Sequence, residues 1–132
     1  MAMEKKEGGK FIEPTKSELE ILQLLWESGP STLRVENEKL NQQKREVNYT
    51  STLKLMQIMF DKGILNRDDT NMKHIYSPAL PEAKTKSFLL DRFVDTMFKG
   101  SAAELMMQLL GNKKTSKKEL DAIKALLEKM NK

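Results

Sequence analysis

Between Pro14 and Pro78 the chain punctuates its apolar segments so regularly that few folds can accommodate it. Thr15-Lys16-Ser17-Glu18 has the Thr-x-x-Glu form of a capping box, and Leu19, Ile21, Leu22, Leu24, Leu25 and Trp26 follow it. This predicts a largely buried first helix over about 15–27, with Trp26 in the core, stopped by Ser28-Gly29-Pro30. Ser31-Thr32-Leu33 reads as a short extended link. A polar second helix is expected over about 34–43, anchored inward by Val35 and Leu40. Arg45-Glu46-Val47-Asn48 makes a turn, with Asn48 as N-cap. A third helix follows over about 49–61, its stripe of Leu53, Met56, Met59 and Phe60 packed inward. Gly63 stands where a left-handed helix terminus belongs. Ile64-Leu65-Asn66-Arg67 and His74-Ile75-Tyr76-Ser77 then read as a β-hairpin with a longer loop, closed by Pro78.

The remainder is helical. Pro81 suits the first turn of a helix reaching about Phe98, where Gly100 breaks it. Ser101-Ala102-Ala103-Glu104 opens a shorter helix, ended by Gly111-Asn112. Ser116-Lys117-Lys118-Glu119 is a second capping box, and Leu120, Ile123, Leu126, Leu127 and Met130 give the last helix a one-sided stripe. The expected class is mainly α with a small β-hairpin: an N-terminal winged helix-turn-helix and a C-terminal three-helix region. The expected organisation is a flexible lead-in over 1–13, a winged-helix domain over 14–79 and a helical dimerisation domain over 80–132.

Composition removes several kinds of chemistry. There is no cysteine and only one histidine, His74, which leaves little for metal sites, disulfides or nucleophile–base catalysis. No carboxylate pair or glycine-rich phosphate loop stands out, so the chain is not read as an enzyme, and no cofactor is expected. No apolar run approaches the ~20 residues that cross a bilayer, and the charged start lacks a secretion signal, so a cytoplasmic protein is expected. Net charge is +4, but residues 1–78 carry 12 basic and 12 acidic groups while residues 79–132 carry 11 and 7. A nucleic-acid argument must therefore rest on individual residues.

Those residues have an order that suits duplex DNA. In a winged helix-turn-helix the third helix enters the major groove and the hairpin lies along the backbone. The first turn of the third helix offers Asn48, Tyr49, Thr50 and Ser51, with Lys54 one turn on. Arg34, Arg45, Arg67 and Lys73 can supply charge around that face. Each has a plain reading too. Thr50, Ser51 and Thr52 also suit a solvated first turn, Lys54 and Lys62 are ordinary surface lysines, and Arg67 can be neutralised by Asp68 and Asp69. His74 reads as a packed or hydrogen-bonded histidine. The net-zero first half and the acidic wing keep open a winged-helix protein–protein interaction module without DNA binding. The C-terminal stripes are too large for a short segment to bury alone; they can fold back on the first domain or meet a second copy, and pairing is the expectation. Phe88, Leu89, Phe93 and Leu105 are assigned to that interface or its supporting core, together with Leu109, Leu120, Ile123 and Leu127.

Over residues 15–130 the chain resembles the bacterial penicillinase and methicillin-resistance repressors. The resemblance is carried by Thr15 through Leu22, Leu25-Trp26-Glu27-Ser28-Gly29-Pro30, Asp61-Lys62-Gly63-Ile64-Leu65, Tyr76-Ser77-Pro78 and Lys99-Gly100-Ser101. Asn48-Tyr49-Thr50-Ser51-Thr52-Leu53-Lys54 is similar to the family's Tyr-Thr-Thr-Val-Lys recognition-helix start. The resemblance implies a dimeric repressor on a palindromic operator. In the antibiotic-responsive branch it implies release by proteolysis that a membrane metalloprotease-sensor triggers. The family's scissile bond is Asn-Phe, and the matching residues here are Gln108-Leu109, a departure at the bond itself. The copper-responsive branch uses C-terminal cysteines, which this chain lacks. The family often carries a wing glycine, where this chain has Thr70-Asn71-Met72, with Asn71 expected to take the positive φ.

Overall fold

The computed structural model describes residues 12–70, 72–111 and 116–130, excepting the side chains of Leu127 and Met130. Asn71 therefore lies outside the described residues. Three helices come first: α1 (Lys16–Ser28), α2 (Leu33–Gln43) and α3 (Tyr49–Lys62). The hairpin of β1 (Leu65–Asp68) and β2 (Ile75–Pro78) follows, and then α4 (Glu82–Phe98), α5 (Ala102–Gly111) and α6 (Lys117–Met130). This is a winged helix-turn-helix followed by a helical C-terminal region. By its internal contacts the chain forms two compact units, the first ending at Phe88 and the second beginning at Leu89.

The first unit is built as its punctuation dictates. Thr15 Oγ1 accepts from the Glu18 amide at 3.2 Å, and Glu18 Oε1 accepts from the Thr15 amide at 2.9 Å, which closes the capping box. Glu18 is buried, and its other oxygen receives Lys62 Nζ at 2.7 Å, joining the start of α1 to the end of α3. Gly63 takes the left-handed conformation at φ 86°, and the Ile64 amide reaches back to the Met59 carbonyl at 3.0 Å. That bond commits Ile64 to the helix terminus, so β1 begins one residue later than the sequence pattern suggests; β2 also begins one residue later, at Ile75 opposite Asp68. The hairpin is antiparallel, with Leu65 opposite Pro78 and Arg67 opposite Tyr76. On the other side of β2, Ser31 and Tyr76 exchange backbone hydrogen bonds of 3.0 and 2.8 Å. The extended link between α1 and α2 is thus a third rung beside the hairpin.

Ile21, Leu22, Leu24 and Leu25 of α1 pack with Leu40, Met56, Met59, Ile64, Leu65 and Tyr76 in one buried cluster. Trp26 borders it half-buried, its indole N–H donating to the Leu80 carbonyl at 2.9 Å. In α2 the inward positions are Leu33, Glu36 and Leu40, whereas Val35 is only half-buried. Leu33, Glu36 and Leu40 share one face at spacings of three and four, and Val35 lies off it; the helix starts at Leu33, capped by Thr32, whose Oγ1 accepts from the Val35 amide at 3.3 Å.

The second unit has the expected helices and breaks. Lys99 and Gly100 both adopt positive φ, 50° and 83°, and the Gly100 amide folds back on the Val94 carbonyl at 3.1 Å. Ser116 and Glu119 close the capping box of α6 through two backbone hydrogen bonds of 3.1 Å. Phe93 and Phe98 meet edge to face, with ring centroids 5.8 Å apart. The buried hydrophobic core, however, contains no described residue from this unit. Leu89, Leu105, Leu120 and Ile123 are half-buried, while Leu90, Phe93, Met97, Met107, Leu109 and Leu126 are exposed. The side chain of Leu127 lies outside the described residues.

Candidate nucleic-acid interface

The edge of α3 that faces solvent begins at its N-cap. Asn48 Oδ1 accepts from the Ser51 amide at 2.8 Å, which satisfies one of the orphan donors of the first turn. Tyr49, Thr50, Ser51, Lys54 and Gln57 are all exposed, and Ile58 joins them further along. Thr52 does not belong to this edge. It is buried, donates to the Asn48 carbonyl at 3.4 Å and accepts from Asn37 Nδ2 at 2.8 Å. The reading of Thr52 as part of a solvated turn is therefore corrected.

The angle of α3 is fixed by two amides of α2 that the sequence reading passed over. Asn37 Nδ2 also donates to the Val47 carbonyl at 3.2 Å, and Asn41 Nδ2 donates to the same carbonyl at 2.9 Å. Asn41 Oδ1 accepts from the Val47 amide at 3.1 Å. Both polar groups of one turn residue are thus held by side chains one helical turn apart on α2. The four-residue spacing of Asn37 and Asn41 was the available signal, because it puts both on one face of a helix that has few apolar anchors.

The cations divide into two sets. Arg45 Nε pairs with Glu20 of α1 at 3.0 Å, and Lys44 Nζ donates to Gln23 at 3.2 Å, so the turn is fastened to the first helix. Arg67 lies 4.2 Å over the Phe60 ring and pairs with Asp69 at 2.9 Å. Its hydrogen bond to Asp69, and then that to Tyr76, push its pKa further upward. Asp69 also lies 3.5 Å from His74 Nε2. Asp68 accepts from the Thr70 hydroxyl at 2.7 Å and the Thr70 amide at 2.9 Å, which hold its carboxyl below the usual range. Both wing carboxylates thus have local partners. Arg34, Lys54 and Lys73 form the second set: they are exposed and carry no ion pair among the described residues.

Arg34 and Lys73 come together with Tyr49 around a cleft of about 370 Å³ between the starts of α2 and α3 and the hairpin. Glu36 of α2 is fully buried; its Oε1 accepts from Ser31 Oγ at 2.9 Å while Oε2 has no partner. Burial raises its pKa, and the Ser31 hydrogen bond and the charge of Lys39 oppose that shift. Among the described residues no cluster of side chains suits a metal ion, and no helix is long and apolar enough to cross a membrane.

A capped third helix with an exposed edge beside a hairpin defines a winged helix-turn-helix. The chain belongs to the penicillinase repressor family, whose profile matches residues 14–129. This is a family of transcriptional repressors rather than of enzymes. No curated protein matches the chain.

Proposed function

We propose that this chain is a dimeric repressor that binds a palindromic operator, seating the exposed edge of α3 in the major groove and laying the wing on the backbone. The observation that carries the reading is that Thr50, Ser51 and Lys54 are exposed on α3 while Thr52, Met56 and Met59 anchor its opposite side. Arg34 and Lys73 supply flanking charge. Arg45 and Arg67 contribute less than their sequence positions suggest, because each holds a carboxylate of its own. The domain division expected after residue 79 goes with this reading: the winged helix binds DNA and the later helices pair. The partly bare apolar faces of α4, α5 and α6 support pairing with a second copy.

Lys54→Ala should weaken binding of a duplex from the gene's own upstream region and leave the fold unchanged. Gel-shift titrations at two salt concentrations assign the contact. A base contact costs about 1–3 kcal/mol and relaxes one position of the site. A phosphate contact instead lowers the salt slope by about one. Wild-type protein that binds no such duplex at low salt favours the protein–protein interaction module, which the neutral charge of residues 1–78 supports.

Release by a membrane metalloprotease-sensor in a cytoplasmic setting is proposed on the family's antibiotic-responsive branch. Gln108 and Leu109 lie inside α5, so cutting there requires that helix to open first. Mass spectrometry of the chain after β-lactam exposure, with the sensor present, tests this through a fragment ending at Gln108.

A further inference from the structure

We propose that the cleft between α2, α3 and the hairpin binds a small organic anion with a flat apolar body, of the aromatic carboxylate class, and that this ligand and duplex DNA exclude each other. The volume of about 370 Å³ lies in the range of small-molecule sites. Leu33, Leu53 and the buried Tyr76 supply apolar lining, while Arg34 from α2 and Lys73 from the hairpin supply positive charge. No carboxylate lines the cleft, and the nearby Asp69 is held by Arg67. Arg34 and Lys73 therefore lack the local partners that Arg45, Lys62 and Arg67 have.

That combination selects a chemistry. An amine is repelled by the two cations. A bare inorganic anion meets the charge but leaves the apolar lining wet. A ring carboxylate satisfies both, because the guanidinium fork matches a carboxylate and the ring covers Leu33 and Leu53. Tyr49, half-exposed beside the cleft, offers an aromatic face to the same ring. The exclusion half rests on the repressor reading, since Arg34, Tyr49 and Lys73 are also residues assigned to the duplex. The binding half stands without it.

The test is a nitrogen-15 NMR titration of the full chain with 2-naphthoate, run beside the neutral 2-naphthamide. The carboxylate should shift the amides of Thr32, Arg34, Tyr49 and Lys73 saturably, and the neutral analogue should bind about tenfold or more weakly. The double variant Arg34→Gln/Lys73→Gln should weaken 2-naphthoate by a similar factor with spectral dispersion unchanged, because neither side chain is in the core. Equal binding of acid and neutral analogue overturns the site, as do shifts centred on α4 to α6 or no saturable shift by about 10 mM. Operator affinity unaffected by saturating 2-naphthoate overturns the exclusion. A chain that binds no duplex even without 2-naphthoate fails the repressor reading, and the titration then judges the cleft by itself.

Discussion

The two units solve the burial problem differently. The first closes a core around Ile21, Leu22, Met56 and Met59, each at 0% exposure, and fastens its turns with side-chain hydrogen bonds. The second has comparable apolar stripes, yet Met97 is 62% and Met107 71% exposed. The difference lies in what each stripe meets. In the first unit three helices and a hairpin converge, so every stripe finds an opposite number. The second has only the later part of α4 with α5 and α6, too few surfaces to cover one another. A stripe in the sequence thus announces a face to be covered without saying whether the same chain covers it.

The sharpest break of this comparison is Leu22→Ala. It removes a fully buried side chain from a closed core and should cost about 2–5 kcal/mol in denaturant unfolding. A cost below about 1 kcal/mol would mean that the first core is as loose as the second unit. Phe93→Glu is the counterpart. Under the pairing proposed above it should raise the dimer dissociation constant at least about tenfold in sedimentation experiments, with the first unit still folded. Unchanged mass with lowered stability would show that the second unit closes on itself.

Asn41→Ala removes the partner of the Val47 amide and one of the two donors to its carbonyl, leaving that of Asn37, and should lower stability by about 1–2 kcal/mol. It should also reduce the ratio of operator to non-specific affinity, because α3 loses its fixed angle. Lowered stability with that ratio intact would make Asn41 a purely structural residue. The smallest effect is expected at Glu36. Its folded-state pKa is raised, so the folded protein holds the proton more tightly than the unfolded chain. Stability from this group is full below the ordinary carboxylate pKa and is lost as pH rises through the raised value. Glu36→Gln should flatten that part of the pH–stability curve, with a change of about 1 kcal/mol at neutral pH. A curve of unchanged shape would remove Glu36 as its source.

Much of this was legible in the sequence because it is local. Capping boxes at Thr15 and Ser116, the Asn48 cap and the Gly63 terminus each act over a few residues, and the structure has all of them. Side-chain pairing is not local, and there the reading ran out. Thr52 and Glu36 look like surface residues by type, but both are buried, Thr52 bonded to Asn37 of the preceding helix and Glu36 to Ser31 of the link before its own. Arg45 looks like a free cation until Glu20 is seen beside it, whereas the wing aspartate that holds Arg67 is two residues away and legible in the sequence. Arg34, Lys54 and Lys73 keep the exposure their positions suggested. The bare faces of the second unit were legible as stripes, but their exposure depends on what packs against them.

The rung between Ser31 and Tyr76 has a consequence for how copies of this molecule meet in a crowded cell. With β2 flanked on both sides, β1 is left as the strand with an outer margin for a foreign strand to join. That margin is four residues long and includes Arg67 and Asp68, too short and too charged to template stacking. The wing can therefore extend from the body without seeding fibrils.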